Sequence, residues 1–219
     1  MQNSMTPPYQ TSHKAVAYWL FTMAVLVALM VLIGGITRLT GSGLSMVEWR
    51  PLMGTLPPLS QEEWLRVFTL YQQSPEYNDI NYGMSLGEFK LIFFWEYFHR
   101  LWGRFLGLAF ALPLIYFAIM RQIPQGYGPL FLVLLAFGGF QGAVGWWMVK
   151  SGLVDNPAVS QYRIATHLSI ALLIYAMLLW TSFGLFYGKV ARPSGHVMGV
   201  IGLVAITIIA GAFVAGMDA

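Results

Sequence analysis

The sequence predicts an all-α fold: a polytopic membrane bundle of four helices, followed by a fifth transmembrane helix. The 219 residues are 57% hydrophobic and only 10% charged, whereas soluble proteins carry roughly 25% charged residues. The chain also contains five apolar segments of about 20 residues each, the length that crosses about 30 Å of hydrocarbon. These segments are residues 16–36, 91–120, 129–149, 164–187 and 197–216.

Composition and charge exclude several classes of function. The chain has no cysteine, which excludes disulfides, thiolate metal sites and cysteine-ligated haem or iron–sulfur clusters. A formal net charge of +3 is too small to suggest a nucleic-acid partner. Residues 1–14 are short and polar, without the features of a secretory signal or an arginine-rich transit peptide. These features favour a bacterial inner membrane, and the distribution of positive charge leaves the side of the N-terminus open.

The elements follow in order from local signals. The first apolar segment leads into a long connection, 37–90, which holds most of the acidic residues. Ser60 with Glu63 forms a capping-box signature, and apolar side chains then recur at helical spacing. These side chains are Trp64, Val67, Phe68 and Tyr71. The pattern predicts a short amphipathic helix on the membrane surface or over the bundle. A second capping box, Ser85 with Glu88, opens the helix of the second apolar segment.

Glycines recur four residues apart in two of the apolar segments. The pairs are Gly103 with Gly107, and Gly138 with Gly142. This spacing predicts close contacts between membrane helices. It equally suits a flat macrocycle that lies against the backbone.

Two histidines are the strongest functional signal. His99 and His167 lie in segments that run in the same direction, each about one to two turns inside the outer end of its segment. A polar ring inside a membrane helix is costly and usually has a specific partner. Two imidazoles at matched depth on one side of the membrane predict the axial ligands of a buried haem iron.

Charged residues surround the first of these histidines. Glu96 shares a helix face with His99, and Arg100 and Arg104 lie on an adjacent face. One interpretation has His99 on the iron, Glu96 beside the macrocycle edge and an arginine on the haem propionates. The alternative is an Arg–Glu pair at the headgroups, with His99 bonded to a backbone carbonyl. The sequence contains no phosphate-binding loop, no nucleophile elbow and no zinc spacing.

Ordered motifs from residue 34 onward resemble the haem A synthase family, in its cysteine-free mitochondrial and alphaproteobacterial form. The matching stretches are 34–40 (GGITRLT), 42–45 (SGLS), 96–100 (EYFHR) with Gly103 and Arg104, 141–142 (QG) leading to 148–153 (MVKSGL), and 166–168 (THL). The resemblance implies two similar four-helix halves, eight spans in all, with a haem site in each half. It also implies the oxidation of a methyl group of haem O to the formyl group of haem A.

Site residues and partners are implied by the same resemblance. His99 and His167 would flank the substrate haem O, Glu96 would lie close to the reacting edge as the catalytic group, and a haem b would occupy the second half. Weaker candidates for propionate contacts are Arg38, Arg100 and Arg104. Membrane lipid, a haem O synthase, an electron-transfer partner and a second copy of the chain are the implied partners. The N-terminus would be cytoplasmic and the haem site extracytoplasmic.

The chain departs from the family pattern in having five spans and only one histidine pair. We divide it into a tail at 1–15, a four-helix haem-binding half at 16–190 and the first helix of a truncated second half at 191–219. It is then either a fragment or a half that associates with another copy or chain. Two further functions stay open: a non-catalytic bis-histidine membrane cytochrome, and a haem-free assembly factor for cytochrome oxidase.

Overall fold

A computed structural model describes residues 8–48, 56–153, 157, 159–188 and 193–217. Within these ranges the secondary structure is helical, as the composition predicts. The helices are α1 (Pro8–Leu39), α2 (Gln61–Tyr71), α3 (Pro75–Asp79), α4 (Leu86–Ile119), α5 (Gly128–Gly152), α6 (Gln161–Tyr187) and α7 (Gly195–Gly216). The proposed boundary between 190 and 191 lies outside the described residues.

Five of these helices are long and apolar enough to cross a membrane. They are α1 from His13 onward, α4, α5, α6 and α7, with mean hydropathies from 1.6 to 2.6 over their most apolar windows. The prediction of a multi-pass helical membrane protein is therefore confirmed. α4 begins five residues earlier than its apolar segment, because the predicted capping box forms at Ser85. The Ser85 hydroxyl accepts from the Glu88 amide, and the Glu88 carboxylate accepts from the Ser85 amide.

Only one of the two hydrogen bonds of the predicted capping box forms at the start of α2. The Ser60 hydroxyl accepts a hydrogen bond of 3.1 Å from the Glu63 amide. The Glu63 carboxylate pairs instead with Arg66 at 2.7 Å. The predicted amphipathic helix nevertheless runs from Gln61 to Tyr71.

Four spanning helices form a ring. α1 packs against α4 and α6, and α5 packs against α6 and less extensively against α4. α4 and α6 consequently lie on the diagonal. The tightly packed core occupies the end of the ring where the short connection 120–127 joins α4 to α5. This core contains Leu20, Phe110, Leu114, Phe131 and Leu178. The opposite end, which we call the loop end, carries α2 and α3.

The long connection folds over the loop end of the ring. An aromatic cluster formed by Tyr71, Tyr77, Phe89 and Phe93 joins α2 and α3 to the first turns of α4. Trp64 adds edge-on contacts with Phe93, at a centroid distance of 5.1 Å. Of the two locations predicted for the amphipathic helix, the structure has it over the bundle, because its apolar face is covered by these rings.

α7 packs against α6, and Arg38 connects its end to α1. The Arg38 guanidinium donates from Nε and Nη2 to the carbonyl of Ala215, at 3.1 and 2.7 Å. Gly216 approaches Gln161 so closely that a Cβ there would lie 2.5 Å from the Gln161 Cα. Arg38 therefore has a structural partner that sequence spacing did not indicate.

Close helix contacts at the paired glycines were predicted, and the structure contradicts this for three of the four. A Cβ at Gly103 would meet only the flexible end of Met30, at 3.5 Å. A Cβ at Gly107, Gly138 or Gly142 would meet nothing within 4 Å. The helix-contact interpretation is wrong at these three positions because α4 and α5 pack mainly near their short connection.

A buried acid in the loop region makes folding pH-dependent. The Glu76 carboxylate accepts from the Tyr71 hydroxyl at 3.0 Å, and that hydroxyl accepts from the Asn81 amide at 2.8 Å. The pKa of Glu76 is raised to about 7, chiefly by burial and to a smaller extent by the negative charge of Glu96, against the lowering effect of the hydrogen bond from Tyr71. The protonated form is therefore the one that the folded state favours.

We expect Glu76→Gln to stabilise the loop region above neutral pH. Glu76 has a pKa of about 7 in the folded state and an ordinary value of 4.5. Its contribution to the free energy of unfolding of the parent is therefore fully present below pH 4.5 and is lost as the pH rises through 7. The loss at high pH is on the order of 3 kcal/mol. Thermal unfolding of both proteins should diverge at pH 8 and converge near pH 4.5. Glu62→Gln, on the exposed face of α2, is the control, and equal midpoints at pH 8 would contradict the prediction.

Candidate functional site

His99 and His167 extend from the two diagonal helices toward glycines of their neighbours. The Nε2 atom of His99 lies 3.4 Å from the position that a Cβ would occupy at Gly34 on α1. The Cε1 atom of His167 lies 3.0 Å from the corresponding position at Gly145 on α5. Gly34 and Gly145 each lie within about two turns of the loop end of their helices. The two imidazoles are thus at matched depth, inside the ring and near its loop end.

The surroundings of His167 leave polar atoms without partners. Its Nδ1 atom is buried and makes no hydrogen bond within the described part of the chain. Gln141 on α5 donates from Nε2 to the His167 carbonyl at 2.9 Å, while its own Oε1 is buried and unbonded among the described residues. Buried polar atoms are nearly always hydrogen-bonded. Two unbonded atoms beside an imidazole fit a site that receives a polar or metal-containing group.

Glu96 is almost fully buried, with 2% of its surface exposed. Its Oε2 atom accepts from the Ser45 hydroxyl at 2.7 Å and from the Met46 amide at 2.6 Å. Its Oε1 atom pairs with the Arg100 guanidinium one turn later on α4. Sequence spacing put Arg100 on a face adjacent to that of Glu96 and His99, but Glu96 and Arg100 form a largely buried i, i+4 ion pair. The carboxylate therefore anchors the start of the long connection over the ring.

The three candidate arginines have different surroundings. Arg100 also donates to the Met46 carbonyl at 3.2 Å, and Arg38 binds the end of α7. Arg104 lies one turn beyond Arg100 and lines a small cleft beneath the long connection, together with Arg66 and Arg100. Arg66 carries its own acidic partners, Glu48 and Glu63. The structure thus has Arg100 and Arg104 on the side of the ring near Glu96. The guanidinium of Arg38 is instead bonded to the last turn of α7.

Several residues of this site were not among the predicted site residues, although Gly34, Ser45 and Gln141 lie in the stretches that carry the family resemblance. Gly34, Gly145 and Ser45 contact the predicted residues from other helices or from the connection. Gln141 did have a visible signal, because it is the one amide side chain in the apolar segment 129–149. No group of three or more histidine, cysteine or acidic side chains that could hold a metal ion occurs in the ranges that the structure describes.

Comparison with known proteins gives consistent matches. The sequence model of one family, described as cytochrome oxidase assembly protein, matches residues 17–219. A protein of Granulibacter bethesdensis named haem A synthase is 50% identical over 226 residues, which cover 100% of this chain and 60% of the relative. Proteins with the same name from Parvibaculum lavamentivorans and Nitrosospira multiformis are 47% and 48% identical, covering 95% and 94% of this chain.

The relatives are longer than this chain. It spans about three fifths of their length, with 62% of the Parvibaculum lavamentivorans protein and 60% of the Nitrosospira multiformis protein covered. No solved structure matches the chain.

Proposed function

This chain belongs to the cytochrome oxidase assembly protein family, and we propose that it acts as a haem A synthase. The reaction is the oxidation of a methyl group of haem O to the formyl group of haem A. Three relatives with this name, each 47% to 50% identical, support the proposal. The chain spans only part of their length, so the activity has to be measured on this chain itself.

The observation that carries the proposal is the pair of imidazoles at matched depth on diagonal helices. We assign His99 and His167 as axial ligands of the iron of the substrate haem. A planar porphyrin between α4 and α6 needs backbone without side chains nearby, and the glycines beside both rings meet this need. The unbonded Nδ1 of His167 is further support, because a buried ring nitrogen needs a partner.

Glu96 is the acid–base group in this proposal. A haem supplies the redox chemistry when it is bound. Loss of two electrons and one proton from the methyl group would leave positive charge at the macrocycle edge, with the electrons passing to the electron-transfer partner and water supplying the oxygen. A carboxylate one turn from His99, in a low-dielectric environment, can stabilise this charge or accept a proton. Because the Ser45 hydroxyl and Arg100 already bind Glu96, one of these contacts has to weaken before its carboxylate takes a proton.

The propionates are assigned to the arginines near the long connection. Arginine binds carboxylates in a bidentate manner. Arg104 is the best placed of the three candidates, because it lines the cleft beneath the connection. Arg100 is the second choice since it holds Glu96, and Arg38 is the weakest since two of its nitrogens bind Ala215.

Location and partners complete the proposal. We assign the protein to a bacterial inner membrane, with a cytoplasmic N-terminus and the histidine pair toward the extracytoplasmic side. Haem O and lipid are its small-molecule partners. A haem O synthase that delivers the substrate, an electron-transfer partner and a second copy of the chain are its protein partners.

A bis-histidine membrane cytochrome is the second candidate. The specific observation in its favour is that both oxygens of Glu96 are already bound, by Ser45, Met46 and Arg100. This arrangement is sufficient to anchor the connection and requires no catalysis. Such a protein would need both histidines and would leave the bound haem unaltered.

The test is haem extraction and chromatography from membranes of cells that make haem O, with and without this chain. Haem A that accumulates only when the chain is present supports the synthase. Bound haem O or haem b without haem A overturns it in favour of the cytochrome. A full-length relative in the same cells shows that the host supports the reaction.

We expect Gly145→Ala to impair haem binding. Its Cβ would lie 3.0 Å from the Cε1 of His167, so the ring has to shift, and a displaced ligand weakens metal affinity about 10-fold or more. Gly142→Ala makes the same change on the same helix, where nothing lies within 4 Å, and it should bind haem as the parent does. Haem titration followed by absorbance measures both. Equal affinities would contradict the prediction.

A further inference from the structure

Gln141 makes an unusual contact with the residue assigned as an iron ligand. Its Nε2 donates to the backbone carbonyl of His167 at 2.9 Å and lies 3.4 Å from the Nε2 of the imidazole. One amide therefore reaches both the backbone and the ring of the same residue, across the interface between α5 and α6.

This contact is not required by the secondary structure. The carbonyl of a residue inside a helix already accepts from the amide four residues later, so Gln141 uses the second lone pair. A polar amide in a membrane helix is also unfavourable unless it is bonded. The acceptor that satisfies the amide is the carbonyl of His167 itself.

A second residue on the same face of α5 lies beside the ring. Gly145 follows Gln141 by one turn and gives the imidazole the space that a larger residue would occupy. The ring of His167 is thus bounded by a bond at Gln141 and by a glycine backbone at Gly145. The Oε1 of Gln141 and the Nδ1 of His167 are buried and make no hydrogen bond to described residues. Both atoms can therefore still bind a further group.

We propose that Gln141 is a positioning residue for His167, which sets the orientation of the imidazole and so the strength of its bond to iron. The inference rests on the proposed function, because it takes His167 as an axial ligand. Outer partners of metal-bound histidines hold the ring in place, and their loss lowers metal affinity about 10- to 100-fold. The Nε2 of Gln141 is a donor, and neither nitrogen of a neutral, iron-bound imidazole can accept a hydrogen bond, so Gln141 acts through the His167 carbonyl and by packing against the ring. The carbonyl contact at 2.9 Å fixes the Cα of His167, and the amide beside the ring restricts its rotation.

The experiment uses the full chain, purified in detergent and titrated with haem. Gln141→Leu keeps the approximate volume and removes both contacts, and Gln141→Asn keeps the amide on a side chain that is one carbon shorter. Phe140→Leu is the matched control, since Phe140 is the adjacent residue and is 54% exposed. The readout is the fraction of high-spin haem, from absorbance and electron paramagnetic resonance, at equal haem occupancy. A residue that only stabilises the fold would not change this fraction.

We expect the parent and Phe140→Leu to be low-spin. Gln141→Leu should bind haem about 10-fold more weakly or worse and have a high-spin fraction, with Gln141→Asn intermediate. Low-spin spectra in both Gln141 variants, equal to the parent at full occupancy, would overturn the inference and leave the proposed function intact. A parent chain that forms neither low-spin haem nor haem A would instead overturn the proposed function, and the role of Gln141 with it.

Discussion

Replacing His99 or His167 with alanine is expected to abolish low-spin haem binding and, with it, haem A formation. In the proposed function, each variant would remove one of the two imidazoles that we assign to the iron. The loss should exceed the roughly 100-fold effect that a change in an outer partner can cause. Reduced-minus-oxidised spectra of membranes, together with haem chromatography, measure both consequences. The double variant should bind no haem at this site.

The control for these variants is His196→Ala. His196 lies in the first turn of α7, where it is exposed. The last turn of α7 contacts the first turn of α6 at Gln161, so His196 lies at the other end of α7, away from the loop end that holds the pair. We expect it to bind haem as the parent does. If His99→Ala and His167→Ala, each folded as judged by gel filtration, kept the low-spin spectrum, the assignment of the axial ligands would be wrong.

Glu96→Ala is expected to reduce both folding stability and haem A formation. The change leaves the Ser45 hydroxyl, the Met46 amide and the Arg100 guanidinium without their acceptor. Breaking a buried ion pair by removing one partner costs about 3–5 kcal/mol. The midpoint of thermal unfolding should fall clearly, and the connection above the ring should become more accessible to proteases.

Glu96→Gln separates the two roles of this residue. It keeps the size and one acceptor oxygen, so the Met46 contact survives, but it cannot accept a proton as a carboxylate does. We expect it to bind haem and to form little or no haem A. Ser45→Ala removes one bond to the carboxylate at a cost of about 1 kcal/mol and leaves the acid in place. A Glu96→Gln variant that forms haem A at the parental rate would contradict catalysis and leave Glu96 as an anchor.

The span prediction succeeded because its signals are local. An apolar segment long enough to cross the bilayer is visible in one dimension, and the Ser85 cap of α4 depends on residues three positions apart. The same holds for the amphipathic helix α2. The predicted capping box at Ser60 formed only in part because Glu63 has a competing partner, Arg66, one turn away.

The glycine prediction failed because it depends on distance between helices. Gly138 and Gly142 have the spacing of a packing motif, yet nothing lies within 4 Å of a Cβ at either position. A spacing motif describes one helix face and carries no information on where the neighbouring helix lies. The bulky side chains of the core, such as Phe110 and Phe131, draw α4 and α5 together at the opposite end.

The sequence by itself determined the helical membrane class, the order of the spans and the two histidines at similar depth. These follow from hydrophobicity and helical periodicity, which are properties of neighbouring residues. Only the tertiary structure decided that Glu96 is held by Ser45 and Met46, about 50 positions earlier. The same is true of the contacts that Gln141 and Gly145 make with the ring of His167. Such contacts join residues distant in sequence, and their geometry is set by how whole helices pack.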